Sequence, residues 1–293
     1  MSSPIARSMD RNRAIDVPPA TALHLLWRIL SDEKEDTMLS SVKDLVGFTL
    51  AATDGAIGEV EACYFDDAHW TVRYLVVDTG GWLSGRKVLI SPMAIRGIDT
   101  DGERVIVDLT REQVEHSPDI DTHRPVSRQH EIALLQYYGY PSYWYGPYAW
   151  GPVMLPTLAP PPTDTVNEEI MARAEQDNIE DAHLHSTSDV RGYDIQASDG
   201  AIGHVDDFLL DDRSWTIRWL VVDTGNWLPG KHVLVAPEWV EDVAWTDRAV
   251  RVGLDRAQIE SAPAYDRDQR VDRDYEQRLF AHYRRPGYWE RAA

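Results

Sequence analysis

The chain has 293 residues, a net charge of −20 and a hydrophobic fraction of 43%, which is typical of a globular protein with room for about two domains. Nucleic acids and anionic lipid surfaces are bound mainly through Lys and Arg. No segment carries a basic stripe, so the charge argues against nucleic-acid binding and against charge-driven docking on membranes. No apolar run approaches the ~18–20 residues of a transmembrane helix.

Cys63 is the only cysteine, which rules out an intrachain disulfide and indicates a reducing compartment. We therefore predict a cytoplasmic protein and leave open a peripheral position on the cytoplasmic face of a membrane.

Residues 1–37 are predicted to form a flexible leader. The alternative is a short amphipathic helix, because four apolar residues share one helical face: Leu23, Leu26, Trp27 and Leu30. A further hypothesis is that the biological start is Met38, because a repeat begins there.

The sequence contains a tandem internal repeat, because residues 38–144 align with residues 183–289 at a constant offset of 145. Roughly forty per cent of the paired positions are identical, which is the signature of a two-copy array. We predict two domains over these ranges, joined by a Pro-rich acidic linker at 145–182. A residue found in both copies fits the shared fold, whereas a residue found in one copy is not essential to it.

Each copy begins with residues typical of short β-strands. Asp54-Gly55 is a strong hairpin signal between apolar runs at 48–52 and 57–64. Trp70 opens the longest strand, which is predicted to start half exposed and to end buried on both faces, as in a closed or curled sheet. Three more runs lie at 88–90, 95–98 and 105–109. Six short strands with tight turns indicate a small all-β barrel.

Two short helices are predicted after each barrel, because capping residues precede apolar helical patterns. The N-caps are predicted at Thr110, Ser127, Asp255 and Asp272. Each copy ends in a Tyr-Trp pair, Tyr143-Trp144 or Tyr288-Trp289. We expect these pairs to pack back onto the barrels, because aromatic burial anchors a terminal segment.

A longer signature runs through both copies. The first copy contains Leu45-x-Gly47, Asp54-Gly-x-Ile-Gly58, Trp70-x-x-Arg73-Tyr74-Leu-Val-Val-Asp78-Thr-Gly80, Trp82-Leu83-x-Gly85-Arg86-Lys87 and Pro92. The second copy contains Gly192, Asp199-Gly-Ala-Ile-Gly203, Trp215, Arg218, Leu220 to Gly225, Trp227-Leu228, Gly230 and Pro237. On these residues the chain resembles the PRC-barrel family, and the whole tandem looks like a bacterial double PRC-barrel protein.

The resemblance implies a mainly β fold of two tandem six-stranded PRC-type barrels, each followed by two short α-helices. The family takes its name from the cytoplasmic domain of the photosynthetic reaction centre H subunit, and it includes a domain of a ribosome-maturation factor. The resemblance implies a role in protein–protein interaction or assembly rather than in catalysis. Neither the membrane helix of the H subunit nor the RNA-associated domain of the ribosomal factor is recognisable here, so each specific function is an analogy.

The acids, glycines and aromatic residues shared by the copies are interpreted as structural. Asp residues at turns bond nearby backbone, and Asp78 is expected to pair with Arg73 or Arg86. The full structural signature is Asp54, Gly55, Gly58, Trp70, Arg73, Asp78, Asp199, Gly200, Gly203, Trp215, Arg218 and Asp223.

The sequence shows no motif for a nucleophile, a metal site or a dinucleotide loop. His183, His185, His204 and His232 lie in the second copy and have no histidine counterpart in the first. The fold therefore does not require them, and a metal site in one copy is an alternative. We predict no catalytic residue, no metal and no cofactor.

The best candidate for partner binding is the loop at 80–87, together with its counterpart at 225–232. The candidate residues are Trp82, Leu83, Arg86, Lys87, Trp227, Leu228, Lys231 and His232. Trp and Arg together are typical of interface hot spots. The alternative is that the two tryptophans cap the ends of the barrels.

The predicted function is a non-catalytic interaction or assembly module for protein partners, and the resemblance suggests a membrane or photosynthetic-type complex. An intramolecular pseudo-dimer and a homo-oligomer are both compatible with the repeat. The alternative is a ligand or pigment carrier, or an enzyme, that uses the cleft between the barrels.

Overall fold

The computed structural model describes residues 38–120, 126–144, 146, 148–157, 184–225 and 230–290. The predicted leader at 1–37 and the linker residues 158–182 lie outside the described residues, as do Trp227 and Leu228.

Each repeat contributes six strands to one sheet, together with an extra first strand and three short helices. The first repeat contains β1 (Leu39–Ser41), α1 (Val42–Leu45), β2 (Thr49–Ala52), β3 (Gly55–Asp66), β4 (Thr71–Asp78), β5 (Lys87–Ile90), β6 (Ile95–Asp99), β7 (Arg104–Val107), α2 (Arg111–Glu115) and α3 (Arg128–Tyr138). The second contains β8 (Leu184–Ser186), α4 (Thr187–Val190), β9 (Asp194–Ala197), β10 (Gly200–Asp211), β11 (Ile217–Asp223), β12 (His232–Val235), β13 (Val240–Ala244), β14 (Ala249–Val252), α5 (Arg256–Glu260) and α6 (Arg273–His282). The prediction of a mainly β tandem fold is confirmed.

The two sheets have the same strand order. It is β5-β4-β3-β2-β7-β6 in the first repeat and β12-β11-β10-β9-β14-β13 in the second. Hydrogen-bonded neighbours are antiparallel, except for the parallel pairs β2–β7 and β9–β14. The long strands β3 and β10 lie between their neighbours, so their apolar residues and those of β4 and β11 form the centre of the core.

The four predicted helix N-caps are confirmed. Thr110 and Asp255 form capping boxes at α2 and α5, and Ser127 and Asp272 each accept a hydrogen bond from the backbone three residues further on. The single-turn helices α1 and α4 were not predicted. Among the described helices, none is long and apolar enough to cross a membrane.

The two repeats exchange their first strands. β1 pairs with β10 of the second repeat, and β8 pairs with β3 of the first, which makes each sheet seven-stranded. Leu39 lies opposite Asp211, and Leu184 lies opposite Asp66, so equivalent residues make equivalent contacts. The exchange therefore relates the repeats by a pseudo-two-fold axis, and each repeat completes the sheet of the other.

The backbone also joins the repeats at the start of β4 and its counterpart. Val72 N donates to Trp215 O at 2.8 Å, and Ile217 N donates to Trp70 O at 2.7 Å. Both tryptophans adopt the left-handed conformation, with φ of 51° and 58°, which a bulky residue adopts only when its surroundings hold it there. The two signature tryptophans thus mark the junction between the repeats as well as the start of a strand.

The hydrophobic core runs through both repeats without a break. Phe65 and Phe208, one from each repeat, have ring centroids 5.9 Å apart. Cys63, the counterpart of Phe208, is buried in this core, and burial raises the pKa of its thiol to about 12. The cysteine is therefore an apolar core residue rather than a reactive thiol.

One side of the exchange is more polar than the other. Asp207 is buried and accepts hydrogen bonds from Ser41 Oγ at 2.6 Å and Lys43 N at 3.0 Å. Burial raises the pKa of Asp207, against the effect of these hydrogen bonds. Its counterpart is the buried Ala62, and on that side Cys63 N donates to Thr187 Oγ1 at 3.2 Å. The pseudo-symmetry of the backbone therefore does not extend to the side chains.

Strand β4 is buried over almost its whole length, so the prediction that it starts half exposed is wrong. Thr71 and Arg73 are 0% and 1% exposed. The second repeat covers Thr71, which forms a bridge with Thr216, and Ala149 from the segment after α3 contacts Arg73. Both covers come from parts of the chain distant in sequence, which the strand's own pattern does not encode.

The closing Tyr-Trp pairs pack against the core, as predicted. Tyr143 donates its hydroxyl to Glu131 at 2.5 Å, and Tyr288 lies 3.2 Å from both carboxylate oxygens of Glu276. Both glutamates are buried, Glu131 on α3 and Glu276 on α6. Each tail is therefore held by a buried carboxylate in addition to aromatic packing.

Candidate partner-binding surfaces

The Asp of each Asp-Gly turn bonds the N-terminus of a helix of its own repeat, α2 or α5. Asp54 Oδ1 accepts a hydrogen bond from Arg111 N at 2.8 Å, and Asp199 Oδ1 accepts one from Arg256 N at 2.9 Å. Both acceptors lie at a helix N-terminus, where backbone N–H groups have no partner within the helix. Each of these two acids therefore bonds backbone 57 residues away at the start of a helix, rather than the nearby backbone of its own turn.

Two signature glycines permit close contact between strands. A Cβ atom added to Gly58 would lie 2.0 Å from the carbonyl oxygen of Asp78, and one added to Gly203 would lie 1.9 Å from that of Asp223. The glycines of the turns, Gly55 and Gly200, have φ of +147°, a conformation open to glycine and strained for other residues.

Asp78 does not pair with either arginine, so that prediction is wrong. Its Oδ1 accepts a hydrogen bond from Gly80 N at 2.8 Å, as Asp223 does from Gly225 N at 2.7 Å. Arg73 is five positions away along β4, and residues separated by an odd number project from opposite faces of a strand. Asp78 instead shapes the start of the loop that follows.

The tryptophan loop (residues 80–87) begins with a turn of 3₁₀-helix at Gly80–Leu83. Trp82 is half-buried and packs against the core. The guanidinium of Arg111 lies 4.3 Å from the centroid of its ring, which is a cation–π contact. The ring of Trp82 therefore packs against the core and is still partly exposed. Leu83 beside it is half-buried as well.

One cation of the tryptophan loop, Arg86, bonds the C-terminal end of α2. Arg86 donates to Glu115 O at 2.7 Å, and its Nε lies 2.5 Å from a carboxylate oxygen of Asp119. Lys231, its counterpart, donates to Glu260 O at 2.6 Å. A cation at a helix C-terminus satisfies free carbonyl groups and complements the helix dipole. Both residues therefore have a structural role at this position, whatever they contribute to binding.

The last residues of the two loops face acids. Lys87 Nζ lies 2.6 Å from Glu61 Oε1, and His232 Nε2 lies 3.8 Å from Asp206 Oδ2 and 4.0 Å from Asp223 Oδ2. In the part of the chain that the structure describes, no group of three or more His, Cys, Asp or Glu has the arrangement of a metal site.

Arg73 lies in a closed site at the junction between the repeats. Its Nε donates to Asp66 at 2.7 Å, its Nη1 donates to Ala149 O at 2.5 Å, and its Cζ lies 3.9 Å from the Tyr143 ring centroid and 4.8 Å from that of Trp150. Burial opposes ionisation of Asp66, but hydrogen bonds from His69 and the charge of Arg73 outweigh it, so the pKa of Asp66 is lowered.

The cover of this site is the Trp150 turn (residues 148–153), which carries two small β-bridges. Trp150 is 1% exposed, and its Nε1 donates to Ser214 O of the second repeat at 2.7 Å. The turn therefore closes the site over Arg73 and also ties the first repeat to the second.

The equivalent site in the second repeat is open. Arg218 bonds Asp211 Oδ2 at 3.1 Å and lies 4.1 Å from the Tyr288 ring centroid. Beside it is a cleft of about 420 Å³, which we call the Arg218 cleft. Residues of both repeats line it, among them Trp70, Thr216, Arg218, Pro237, Phe280 and Tyr288.

The Arg218 cleft was not among the residue-level predictions, although an inter-barrel cleft was named as the site of the alternative function. Its signal in the sequence is that Arg73 and Arg218 occupy the same position of the shared signature. The two sites can be distinguished only when the structure places the Trp150 turn over Arg73.

Comparison with known proteins agrees with this fold. The family model described as PRC-barrel domain matches residues 39–114 and again residues 183–262, together more than half of the chain. No curated protein matches the chain. The two matches include the exchanged strands, the signature strands and the first helix of each repeat, and the chain belongs to the PRC-barrel domain family.

Proposed function

We propose that this chain is a non-catalytic assembly module that binds partner proteins on a rigid body built from two fused repeats. The observation that carries the proposal is the strand exchange with its shared core, which holds two related surfaces in one fixed arrangement. PRC-barrel domains occur in interaction and assembly modules. A rigid body with two different faces suits the bridging of two partners, since little flexibility is lost on binding.

The surfaces at equivalent positions differ in their charge. Lys87 is replaced by His232, and Glu59 is replaced by His204. We propose that the tryptophan loop and its counterpart contact different partners, or two parts of one partner. The net charge of −20 favours a neutral or basic partner, and the H subunit's place in the family suggests a partner from a membrane or photosynthetic-type complex on the cytoplasmic side.

The test is capture of a partner by the full-length protein from the native organism, followed by reconstitution with the purified partner. The double variant Trp82→Ala, Trp227→Ala should weaken binding at least about tenfold, because tryptophans dominate interface hot spots, and should leave the CD spectrum unchanged. Ile106→Ala is the matched control, because Ile106 is an exposed apolar residue on β7, outside both loops.

Two outcomes would count against the proposal. If no partner binds at defined stoichiometry, the assembly role is wrong. If the double variant unfolds, the tryptophans are structural caps, and the binding surface lies elsewhere on the body.

The alternative function, a ligand or pigment carrier or an enzyme, is favoured by one observation, the Arg218 cleft between the repeats. Its volume of about 420 Å³ falls within the range of small-ligand sites. The visible absorption spectrum and native mass of freshly purified protein separate the two functions. A bound chromophore would support the carrier, whereas a featureless spectrum with the mass of protein alone would support the assembly module.

A further inference from the structure

The pseudo-two-fold axis makes the Trp150 turn an internal example of how this fold binds a peptide segment. Over Arg73, the turn provides one backbone carbonyl, Ala149 O, and one indole, Trp150. The guanidinium contacts both the indole and the ring of Tyr143, whose centroids lie 6.3 Å apart, and the indole donates to Ser214 O. One of the two equivalent sites therefore shows how a peptide segment contacts this arginine.

The second site contains the same receiving groups. Arg218, Asp211 and Tyr288 occupy the positions of Arg73, Asp66 and Tyr143, with matching contacts of 3.1 Å to the acid and 4.1 Å to the ring. His69, the counterpart of Ser214, lines the cleft, and its backbone carbonyl accepts a hydrogen bond from Thr71 Oγ1 at 3.2 Å. The place of Ala149 and Trp150 is taken by the Arg218 cleft.

The exposure of the two arginines differs accordingly. The side chain of Arg73 is 0% exposed, whereas that of Arg218 is 21% exposed. A guanidinium has five N–H donors, and among the described residues Arg218 donates to Asp211 and Ser214. Arg73 also donates to a backbone carbonyl, Ala149 O. A carbonyl of a bound segment in the equivalent position would accept the same hydrogen bond from Arg218, and such a bond is strong in a partly buried site.

The surface next to the cleft is apolar and exposed. Tyr148 and Met154 are 46% and 56% exposed, and with Leu155 and Arg218 they line an adjoining groove of about 510 Å³. Tyr, Met and Arg are enriched in protein interfaces. A partner segment that enters the cleft would continue onto these side chains.

We propose that the Arg218 cleft binds a tryptophan-containing turn of a partner protein. The indole takes the position equivalent to that of Trp150, and the carbonyl of the preceding residue accepts a hydrogen bond from Arg218. This inference rests on the proposed function as a protein-interaction module, and it names the kind of segment that the junction recognises.

The test uses a blocked synthetic peptide with the sequence of residues 146–155, titrated into the full-length protein and followed by calorimetry and NMR. We expect one peptide to bind per chain with a Kd below about 1 mM. Replacement of the tryptophan in the peptide by alanine should weaken binding by about tenfold or more, as expected for a hot-spot residue.

Two protein variants locate the binding. Arg218→Gln removes the guanidinium fork, and Val240→Trp fills the cleft from its rim, since Val240 lines it and is half-buried. Each should weaken peptide binding by about tenfold or more. Arg278→Gln, at an exposed arginine of α6 outside the cleft lining, is the matched control and should bind as the wild type does.

Three results would overturn the inference. The first is that no tryptophan-dependent binding is detected at peptide concentrations several times higher than about 1 mM. The second is that the folded Val240→Trp variant binds the peptide as tightly as the wild type does. The third is equally tight binding of N-acetyltryptophanamide, which would make the cleft a site for a small aromatic molecule. The assembly role is judged separately by the capture of a partner, so it can survive each of these results.

Discussion

The sites of Arg73 and Arg218 are built from the same residues, yet one is closed and the other is open. Each arginine pairs with the aspartate at the end of the preceding strand and stacks on the tyrosine of the closing pair. The difference comes from the Trp150 turn, which lies outside the repeat. Duplication thus gave the chain two copies of one receiving surface, and the described part of the linker occupies the first.

The closed site shows what full burial of this arginine requires. Removing a guanidinium from water costs several kcal/mol unless the charge is paired and its donors are satisfied. Asp66 pairs with the charge of Arg73, Ala149 O accepts from its Nη1 and two aromatic rings lie against it, while among the described residues the buried Nη2 has no hydrogen-bond partner. In the open site, Arg218 keeps 21% of its side chain exposed, so the same residue is tolerated without a cover.

The comparison predicts that, of the variants considered, loss of the Trp150 side chain over Arg73 lowers the free energy of unfolding most. Trp150→Ala removes an indole that is 1% exposed, breaks its hydrogen bond to Ser214 O and admits water to Arg73. We expect the free energy of unfolding to fall by about 3–5 kcal/mol, as for other large-to-small changes in cores. Urea denaturation followed by fluorescence and CD measures the loss.

The matched control for this change lies two residues away in the same turn. Tyr148 is 46% exposed, so Tyr148→Ala should cost about 0.5 kcal/mol or less. Equal losses for the two variants would mean that the turn contributes through its backbone alone, and that Trp150 does not close the site.

The next largest expected effect is a difference in stability loss between substitutions of Arg73 and Arg218. Arg73→Met leaves Asp66 buried without its main cation, and we expect a loss of about 3 kcal/mol. Arg218→Met breaks a partly exposed pair and should cost about 1 kcal/mol. The two variants are compared by urea denaturation under identical conditions. Losses of the same size would show that the cover contributes nothing to the environment of Arg73.

The six strands and the helix caps were predictable because their signals are local. Asp-Gly turns, alternating apolar residues and N-cap side chains each act within a few positions of the chain. Thr110, for example, forms the cap that its position indicated, whereas Asp54 bonds a backbone N–H 57 residues away. The recurrence of these signals at the same offset made the tandem fold clear from the sequence.

The junction between the repeats was not predictable from such signals. The exchanged strands β1 and β8 have three residues each, too few for a periodic pattern, and they pair with partners far away in the sequence. Burial of Arg73 and Glu131 likewise depends on segments that reach them only in the folded chain. The Arg218 cleft is defined by the same long-range arrangement, which is why the sequence named it only as a general possibility.

The smallest expected effect concerns the pH dependence of the two regions, which should have opposite signs. The pKa of Asp66 is lowered, because hydrogen bonds from His69 and the charge of Arg73 outweigh its burial. The ionised form is therefore favoured in the fold. This contribution to stability is present above the unfolded pKa, near 4, and is lost as the pH falls through the lower folded pKa.

Glu276, beside Tyr288 in the second region, behaves in the opposite way. Burial raises its pKa, although hydrogen bonds from Trp219 and the charge of Arg273 oppose the shift. The protonated form is favoured in the fold, so this contribution is present below the unfolded pKa, near 4, and is lost as the pH rises through the higher folded pKa.

The two signs are tested by measuring unfolding free energies from about pH 3 to pH 8. Asp66→Asn should flatten the acid limb of the profile below about pH 4, and Glu276→Gln should flatten the decline above it. Both changes should be smaller than the loss expected for Arg73→Met, since each substitution keeps the size of its side chain. If both variants flatten the decline above about pH 4, burial alone sets both pKa values, and the hydrogen bonds and charge around Asp66 do not lower its pKa.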